Sequence, residues 1–256
     1  MPSSSHRPPD KKPHVARRRF GQHFLHDRQV LARIVEAIAP RPGECIVEIG
    51  PGEGALTAPL LERARELHAI EVDRDLAARL REMPGLTLHE ADALEFDFAR
   101  FPSGVRLVGN LPYNISTPLL FHVAGYADRV RDMYFMLQLE VVERMVAAPG
   151  TAAYGRLSVA LQARFAMEKL FTVSRGAFRP APKVESAVVR LVPLPRMLEI
   201  DPALLRQAFS ARRKQLRNAL PLSAPEYERL GIDPRLRPGE LSPADYARIS
   251  VLIRSR

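Results

Sequence analysis

The sequence of 256 residues contains a single cysteine and no long apolar segment. Cys45 is the only cysteine, and tryptophan is absent. One cysteine excludes an internal disulfide and any metal site built from several cysteines. No uninterrupted apolar run approaches the roughly 18 residues that a membrane helix needs, and the first residues lack the apolar core of a signal peptide. We therefore expect a cytoplasmic protein with no metal and no membrane contact.

Acidic residues are fewer than basic ones. The chain has 38 Lys and Arg against 29 Asp and Glu, which gives a formal net charge of +9. A basic surface attracts polyanions and accelerates their encounter with the protein. Charge thus favours a nucleic-acid partner, with a basic protein that has no such partner as the alternative.

The first 19 residues are almost devoid of apolar side chains and end in Arg17, Arg18 and Arg19. Such a composition cannot offset the entropy cost of ordering, so residues 1–19 are predicted to be a flexible basic tail. A mitochondrial targeting peptide is disfavoured because prolines interrupt the amphipathic helix it would need. Residues 20–25 resemble a loop, and Asp27 is predicted to cap a helix that Pro40 ends.

The middle of the chain alternates β-prone apolar runs with amphipathic helical patterns. This alternation predicts a parallel sheet with helices on both faces and ligands beyond the carboxyl ends of its strands. The predicted strands are Cys45–Ile49, Leu67–Val72, Leu86–Glu90, Val105–Val108 and Met133–Leu137, with helices at Ala55–Arg65 and Asp75–Met83.

Further along, Thr117 and Pro118 are typical of a helix cap followed by a proline at the first helical position. Helices are then expected at Glu140–Ala147 and up to about Phe165, and strands at Lys169–Val173 and Ser186–Val192. Between these two strands, Phe178 lies in a proline-rich loop and is expected to be exposed. Pro193 and Pro195 indicate a boundary. We expect one α/β domain over residues 20–194 and a small all-helical C-terminal domain over residues 195–256, with one helix from Leu204 to Leu220.

Three alternating glycines follow the first predicted strand of the sheet. Gly50, Gly52 and Ala55 match the loose pattern G-x-G-x-x-A, and Glu71 lies about 20 residues on, where an acidic residue can hold ribose hydroxyls. Glycine permits turn angles and close approach of a ligand to the backbone. The pattern alone leaves open a pyrophosphate dinucleotide, S-adenosylmethionine and a purely structural turn.

A second motif, Asn110-Leu111-Pro112-Tyr113, follows another strand end. The Asn110 side-chain oxygen and the Leu111 carbonyl can each accept an N–H bond from an aromatic amine, which aims the nitrogen lone pair at an electrophile. Tyr113 can stack on the base. Such a turn suits methyl transfer from S-adenosylmethionine. Glu71 would hold the ribose of this cofactor, and Asp92 would hold its adenine.

Five segments together resemble one known family, the ribosomal RNA adenine N6,N6-dimethyltransferases, and most closely its bacterial small-subunit branch. The likeness runs in order from about Arg17 to the C-terminus. Its members dimethylate two adjacent adenines in a hairpin near the 3′ end of small-subunit (16S) rRNA. The segments are residues 20–25, 47–57, 109–116, 178–188 and 212–218.

The resemblance implies a Rossmann-like S-adenosylmethionine-dependent methyltransferase domain and a helical C-terminal domain that grips the ribosomal subunit. It implies that the target base lies between Tyr113 and Phe178. We expect the protein to be a monomer that takes part in small-subunit biogenesis. Where the family usually has Asn, this chain has His23. The implied cofactor contacts are His23, Leu25, Gly50, Gly52, Glu71, Asp92 and Asn110, and the expected RNA contacts are Arg179, Lys183, Arg212, Arg213, Lys214 and Arg217.

Two other functions remain open. The related large-subunit rRNA methyltransferases of the antibiotic-resistance type share the glycine corner, although Leu111 and the proline-rich loop around Phe178 favour the small-subunit activity. The chain could also be a non-catalytic RNA-binding factor in ribosome assembly. The set of Gly50, Glu71, Asp92 and Asn110 argues against loss of activity.

Overall fold

The computed structural model describes residues 22–256. The predicted tail and Phe20 and Gly21 of the first motif lie outside this range. Within it, no helix is long and apolar enough to cross a membrane.

Strands account for the central layer of the described chain. All five predicted strands of the alternating region are present, with small shifts at their ends. The strands are β1 (Phe24–Leu25), β2 (Ile46–Ile49), β3 (Leu67–Glu71), β4 (Leu86–Glu90), β5 (Val105–Asn110), β6 (Val130–Gln138), β7 (Phe165–Val173), β8 (Phe178–Arg179) and β9 (Ser186–Pro193).

The α-helices cover the sheet and form the C-terminal part. Several begin at side-chain caps, as when Asp27 accepts the backbone N–H groups of Gln29 and Val30. The helices are α1 (Arg28–Ile38), α2 (Thr57–Ala64), α3 (Arg74–Leu80), α4 (Ser116–Ala124), α5 (Leu139–Val146), α6 (Arg156–Gln162), α7 (Pro202–Ser210), α8 (Leu216–Ala219), α9 (Ala224–Leu230) and α10 (Pro243–Arg254).

The main sheet has seven strands in the order β4-β3-β2-β5-β6-β9-β7. The five strands from β4 to β6 run parallel, as predicted, and β9 and β7 add an antiparallel end. The inner strands of the parallel part are largely buried, β2 along its whole length, while the edge strand β4 is partly exposed. The carboxyl ends of β2, β3 and β5 therefore meet at one edge, where the two motifs lie.

A separate two-stranded pair joins distant parts of the chain. β1 pairs antiparallel with β8, so that Phe24 faces Arg179 and Leu25 faces Phe178. The interpretation as a loop is thus wrong for Phe24 and Leu25, while Gln22 and His23 lie outside the strand. Two motifs about 150 residues apart in sequence are held side by side, next to the ligand edge of the sheet.

The C-terminal helices surround an apolar cluster of their own, which includes Leu205, Leu216, Tyr246 and Ile249. Tyr154 of the α/β part also belongs to it, and its hydroxyl donates to the Leu241 carbonyl over 2.9 Å. The all-helical character of this region is confirmed, while the boundary at residue 195 stays a prediction.

Some predicted helix limits were wrong. The helix expected from Leu204 to Leu220 is two helices, α7 and α8, because the chain turns at residues 211–215, where the Lys214 N–H donates to the Ala211 carbonyl. Thr117 is not the cap of α4, which begins one residue earlier, at Ser116. Phe165 lies in β7 rather than at the end of a helix, since α6 stops at Gln162.

Candidate active site

A single cleft lies beyond the carboxyl ends of β2, β3 and β5. It brings together residues from the first motif, the glycine corner, the acidic strand ends and the Asn-Leu-Pro-Tyr turn. Among its lining residues are all seven predicted cofactor contacts and the whole turn: His23, Leu25, Gly50, Gly52, Glu71, Asp92, Asn110, Leu111, Pro112 and Tyr113.

The glycine corner has the backbone that its sequence predicts. Gly50 and Gly52 have φ angles of +68° and +59°, a region that disfavours side chains. A Cβ on Gly52 would lie 3.1 Å from the ring of Phe24, so β1 packs directly on the corner. The missing side chain of Gly52 therefore makes room for Phe24, and the two positive φ angles form the tight turn that lines the cleft.

Glu71 is fixed at the end of β3 by two backbone donors. Its carboxylate oxygens accept the N–H of Gly52 over 3.1 Å and the N–H of Asp73 over 2.9 Å. Burial raises the pKa of Glu71, while these two hydrogen bonds act in the opposite direction. Because a carboxylate has about four acceptor positions, Glu71 can also accept ribose hydroxyls.

The charge of the cleft discriminates between the cofactors that the glycine pattern alone left open. Its described lining contains four carboxyl groups, those of Glu48, Glu53, Glu71 and Asp92, and no lysine or arginine. A dinucleotide pyrophosphate would be repelled there, whereas a sulfonium and an ammonium group would be attracted. The residues present therefore fit S-adenosylmethionine.

Glu48 is a charged residue of the cleft that sequence reasoning missed. It is 1% exposed in β2, and its carboxylate accepts a 2.6 Å hydrogen bond from the Thr57 hydroxyl at the start of α2. Burial raises its pKa to about 7, with the Thr57 bond opposing the shift and nearby Glu71 adding to it. Its position inside an apolar run gave the only sequence signal.

The side-chain amide of Asn110 has a defined orientation. Its Nδ2 donates to the backbone carbonyl of His23 over 2.9 Å, which leaves Oδ1 as an acceptor without a partner among residues 22–256. The Leu111 N–H donates to the Met136 carbonyl over 3.1 Å, and no described donor reaches the Leu111 carbonyl. The turn thus offers two unused acceptors.

Tyr113 is held at both ends of its side chain. Its hydroxyl is 2.6 Å from the buried Ser186 hydroxyl, and its ring centroid is 5.3 Å from that of His23. The His23 Nδ1 lies 2.7 Å from the Pro180 carbonyl and donates to it. His23 therefore connects the turn to the proline-rich loop, and Ser186 is a further residue that the sequence did not single out.

Phe178 differs from its expectation. The sequence suggested an exposed aromatic residue, but its side chain is 2% exposed and packs in the apolar cluster that contains Leu25 and Tyr134. The expectation of exposure is wrong because β8 pairs with β1 and turns the ring inward. The structure brings Phe178 near the cleft but does not place it in the lining.

The predicted RNA contacts lie outside the cleft. Arg179, Lys183, Arg213, Lys214 and Arg217 are exposed. Arg212 is exposed as well, yet its Nη2 donates to the carbonyls of Ala152 and Tyr154 over 2.6 and 2.9 Å, which ties the α7–α8 turn to the α/β part.

The end of β3 also adds an apolar surface that the motifs did not reveal. Val72, directly after Glu71, lines the cleft with 45% of its surface exposed, unusual for a large apolar side chain in this protein. A flat ring held near Asp92 can pack on it. In the described part of the chain, no three His, Cys, Asp or Glu residues are arranged to hold a metal ion.

Comparison with known proteins agrees with this geometry. A family model described as ribosomal RNA adenine dimethylase matches residues 13–254. The chain belongs to the ribosomal RNA adenine dimethylase family. The proteins of this family are S-adenosylmethionine-dependent methyltransferases, and the match takes in every segment of the cleft described above.

Similar members of the family and related structures cover almost the whole chain. The Ribosomal RNA small subunit methyltransferase A of Aromatoleum aromaticum is 58% identical over 95% of this chain and 96% of its own. A dimethyladenosine transferase from Plasmodium falciparum is 25% identical, with a TM-score of 0.78 over 91% of this chain and 98% of its own. The 23S rRNA methyltransferase ErmE is 27% identical, with a TM-score of 0.68 over 89% and 98%.

Proposed function

We propose that this protein transfers methyl groups from S-adenosylmethionine to the N6 amino groups of two adjacent adenines in a hairpin near the 3′ end of 16S rRNA. The observation that carries the proposal is the pair of unused acceptors, Asn110 Oδ1 and the Leu111 carbonyl, at the mouth of an acidic cleft. The name of the 58% identical relative supports the small subunit as substrate.

The cofactor contacts follow from the positions of the lining residues. Glu71 accepts hydrogen bonds from the ribose hydroxyls, and Asp92 accepts one from the adenine amino group. Gly50 allows the methionine part of the cofactor to lie close to the backbone. His23, Leu25 and Gly52 complete the contacts, with His23 contributing its backbone carbonyl to the orientation of Asn110. When bound, S-adenosylmethionine supplies an electrophilic methyl group to the cleft.

The amine is activated by orientation. An adenine N6 is a weak nucleophile because its lone pair is delocalised into the ring. Hydrogen bonds from its two N–H groups to Asn110 Oδ1 and the Leu111 carbonyl favour a tetrahedral nitrogen with its lone pair aimed into the cleft. Pro112 stiffens the turn, and the proton leaves after transfer, so no general base is needed.

The base itself is held by stacking. Swinging an adenine out of its RNA context costs about a few kcal/mol, and a stacking contact returns about 1–3 kcal/mol per base. Tyr113 provides one face. Phe178 provides the other only if it leaves the apolar cluster in which it is buried, so the proposal includes a movement of the β8 segment on binding RNA.

A methylated amine must be accepted for the second transfer. It retains one N–H, which either Asn110 Oδ1 or the Leu111 carbonyl can accept. Arg179, Lys183, Arg213, Lys214 and Arg217 supply cations for phosphates, and Arg212 contributes mainly through the turn it fixes. The protein acts as a monomer.

The similarity to ErmE, a 23S rRNA methyltransferase, favours one alternative substrate, the large-subunit RNA. Its identity to this chain is less than half that of the small-subunit relative. A non-catalytic assembly factor is the other alternative, which the intact cleft disfavours.

The test uses ribosomal particles that lack the modification. Small-subunit and large-subunit particles are incubated separately with the protein and labelled S-adenosylmethionine, and the nucleosides are analysed by mass spectrometry. We expect N6,N6-dimethyladenosine at two adjacent positions of 16S rRNA. Label in large-subunit RNA alone would support the first alternative, and particle binding without label the second.

A further inference from the structure

A hollow separate from the active-site cleft lies where the α/β part meets the C-terminal helices. It is formed by the end of α4, by α6, by residues 198–200 and by α7, and we call it the junction hollow. Its walls are mainly apolar and its rim carries three cations: the lining includes Phe121, Ala160, Leu205, Arg156, Arg164 and Arg206.

The cations at this rim are poorly neutralised. The side chains of Arg156 and Arg206 are exposed and form no hydrogen bond or ion pair with any residue in 22–256. Arg164 is 3.9 Å from Glu199, a loose pair. Like charges gathered without partners raise the local potential and attract an anion.

One of these cations also lies over an aromatic ring. The guanidinium carbon of Arg156 lies over the ring of Phe121, 5.0 Å from its centroid. An aromatic ring and a guanidinium group are both planar groups on which nucleic-acid bases stack. The hollow thus combines a stacking plane, apolar walls and a nearby cation at Arg206.

These features suit one kind of ligand. A planar, partly apolar ring attached to an anion is the chemistry of a nucleotide. We propose that the junction hollow binds an unpaired nucleotide of the RNA substrate, with its base against Phe121 and Arg156 and its phosphate at Arg206. This inference rests on the proposed function only in taking RNA as the substrate.

The hollow is a second site and not an extension of the first. None of its lining residues lines the active-site cleft. The nine residues of α4 begin beside the Asn-Leu-Pro-Tyr turn and end at the hollow, a span of about 13 Å along the helix axis. A bound RNA would contact the protein at both ends of α4, so the hollow would set the register of the RNA relative to the cleft.

The experiment compares three variants with a matched control. Phe121→Leu keeps an apolar side chain but removes the ring under Arg156, and Arg156→Gln and Arg206→Gln each remove one rim charge. Arg229→Gln, an exposed residue of α9 outside the hollow, removes the same charge elsewhere. For all four, the affinities for undermethylated small-subunit particles and for S-adenosylmethionine are measured, together with kcat, KM and the melting temperature.

We expect each hollow variant to weaken particle binding and raise KM about tenfold, with kcat and cofactor affinity within about twofold of wild type. Arg229→Gln should change particle binding far less. Photocrosslinking of wild-type protein to particles that contain 4-thiouridine should give an RNA adduct on the peptide that carries Phe121 or Arg206.

Two results would overturn the inference. Hollow variants that bind particles like Arg229→Gln, without an adduct near α4, would show that no nucleotide is held there. Hollow variants that lose particle binding, with no RNA adduct near α4 in the wild-type protein, would identify a protein occupant instead. In either case, the proposed function would still hold if the wild-type protein methylates the particles. Absence of methylation by the wild-type protein would refute the proposed function, whatever the hollow binds.

Discussion

The Asn110 side chain donates to the backbone carbonyl of His23 across 87 positions of sequence, with a separation of 2.9 Å. This bond decides which end of the amide faces the cleft, because a carbonyl can only accept. The segment that holds His23 is in turn fixed by the pairing of β1 with β8. The acceptor that we propose to orient the adenine therefore depends on a strand pair outside the main sheet.

Asn110→Ala tests the acceptor directly. The substitution removes Oδ1 while the backbone of β5 remains, so kcat should fall about a hundredfold or more with particle binding retained. Turnover is measured with labelled S-adenosylmethionine, and Asn114→Ala, an exposed asparagine in the same turn, is the control. Normal turnover in the Asn110 variant would rule out its role.

Tyr113 should contribute mainly through its ring. Tyr113→Phe loses the 2.6 Å bond to Ser186 but keeps the stacking face. We therefore expect kcat/KM to fall by an amount equivalent to about 1 kcal/mol of activation free energy. Tyr113→Ala loses the face as well and should cost about 1–3 kcal/mol more. Equal losses in the two variants would show that the hydroxyl, and not stacking, is what the reaction needs.

Gly52→Ala tests the contact between β1 and the glycine corner. Both Gly52 and Gly104 have positive φ angles, +59° and +86°, but only at Gly52 would a Cβ meet another residue, Phe24 at 3.1 Å. Gly104→Ala should therefore cost only the strain of about 1 kcal/mol in unfolding free energy. Gly52→Ala should in addition weaken S-adenosylmethionine binding, measured by calorimetry. Equal cofactor affinities in the two variants would contradict the packing described.

Glu48 should make stability depend on pH. Its pKa is raised from 4.5 to about 7 in the folded protein, so the folded state binds more protons than the unfolded state between these values. Stability then falls as pH rises through this window, by about 3 kcal/mol in total. Glu48→Gln should remove that decline.

The measurement is urea unfolding of the cofactor-free protein at pH 5 and pH 8. The difference between wild type and Glu48→Gln should change with pH, in favour of the variant at pH 8, while the exposed Glu62→Gln should follow wild type. Parallel pH curves for wild type and Glu48→Gln would mean that Glu48 is charged throughout.

The sequence was sufficient for the part of the site built on the parallel sheet. Gly50, Glu71 and Asn110 each follow a β-prone run, and the topology of such sheets brings their carboxyl ends to one edge. Their common position therefore followed from periodicity alone. The glycine pattern alone left the cofactor open, the Asn110 turn and the family resemblance predicted S-adenosylmethionine, and the four carboxyl groups that the fold gathers in one cleft fit that prediction.

Contacts between distant segments left no local signal. The pairing of Leu25 with Phe178 depends on tertiary structure, and it explains why Phe178 is buried where its proline-rich surroundings suggested exposure. The break between α7 and α8 was missed for a similar reason. The apolar pattern continues through the turn, and Arg212 holds that turn through carbonyls of another segment.

The most direct test of the account is a crystal structure of this protein with S-adenosylhomocysteine and a short RNA hairpin that carries the two adenines. We predict one adenine N6 within hydrogen-bonding distance of both Asn110 Oδ1 and the Leu111 carbonyl, with its ring on Tyr113. An adenine bound elsewhere, or an Asn110 side chain turned away from the cleft of Gly50 and Glu71, would contradict it.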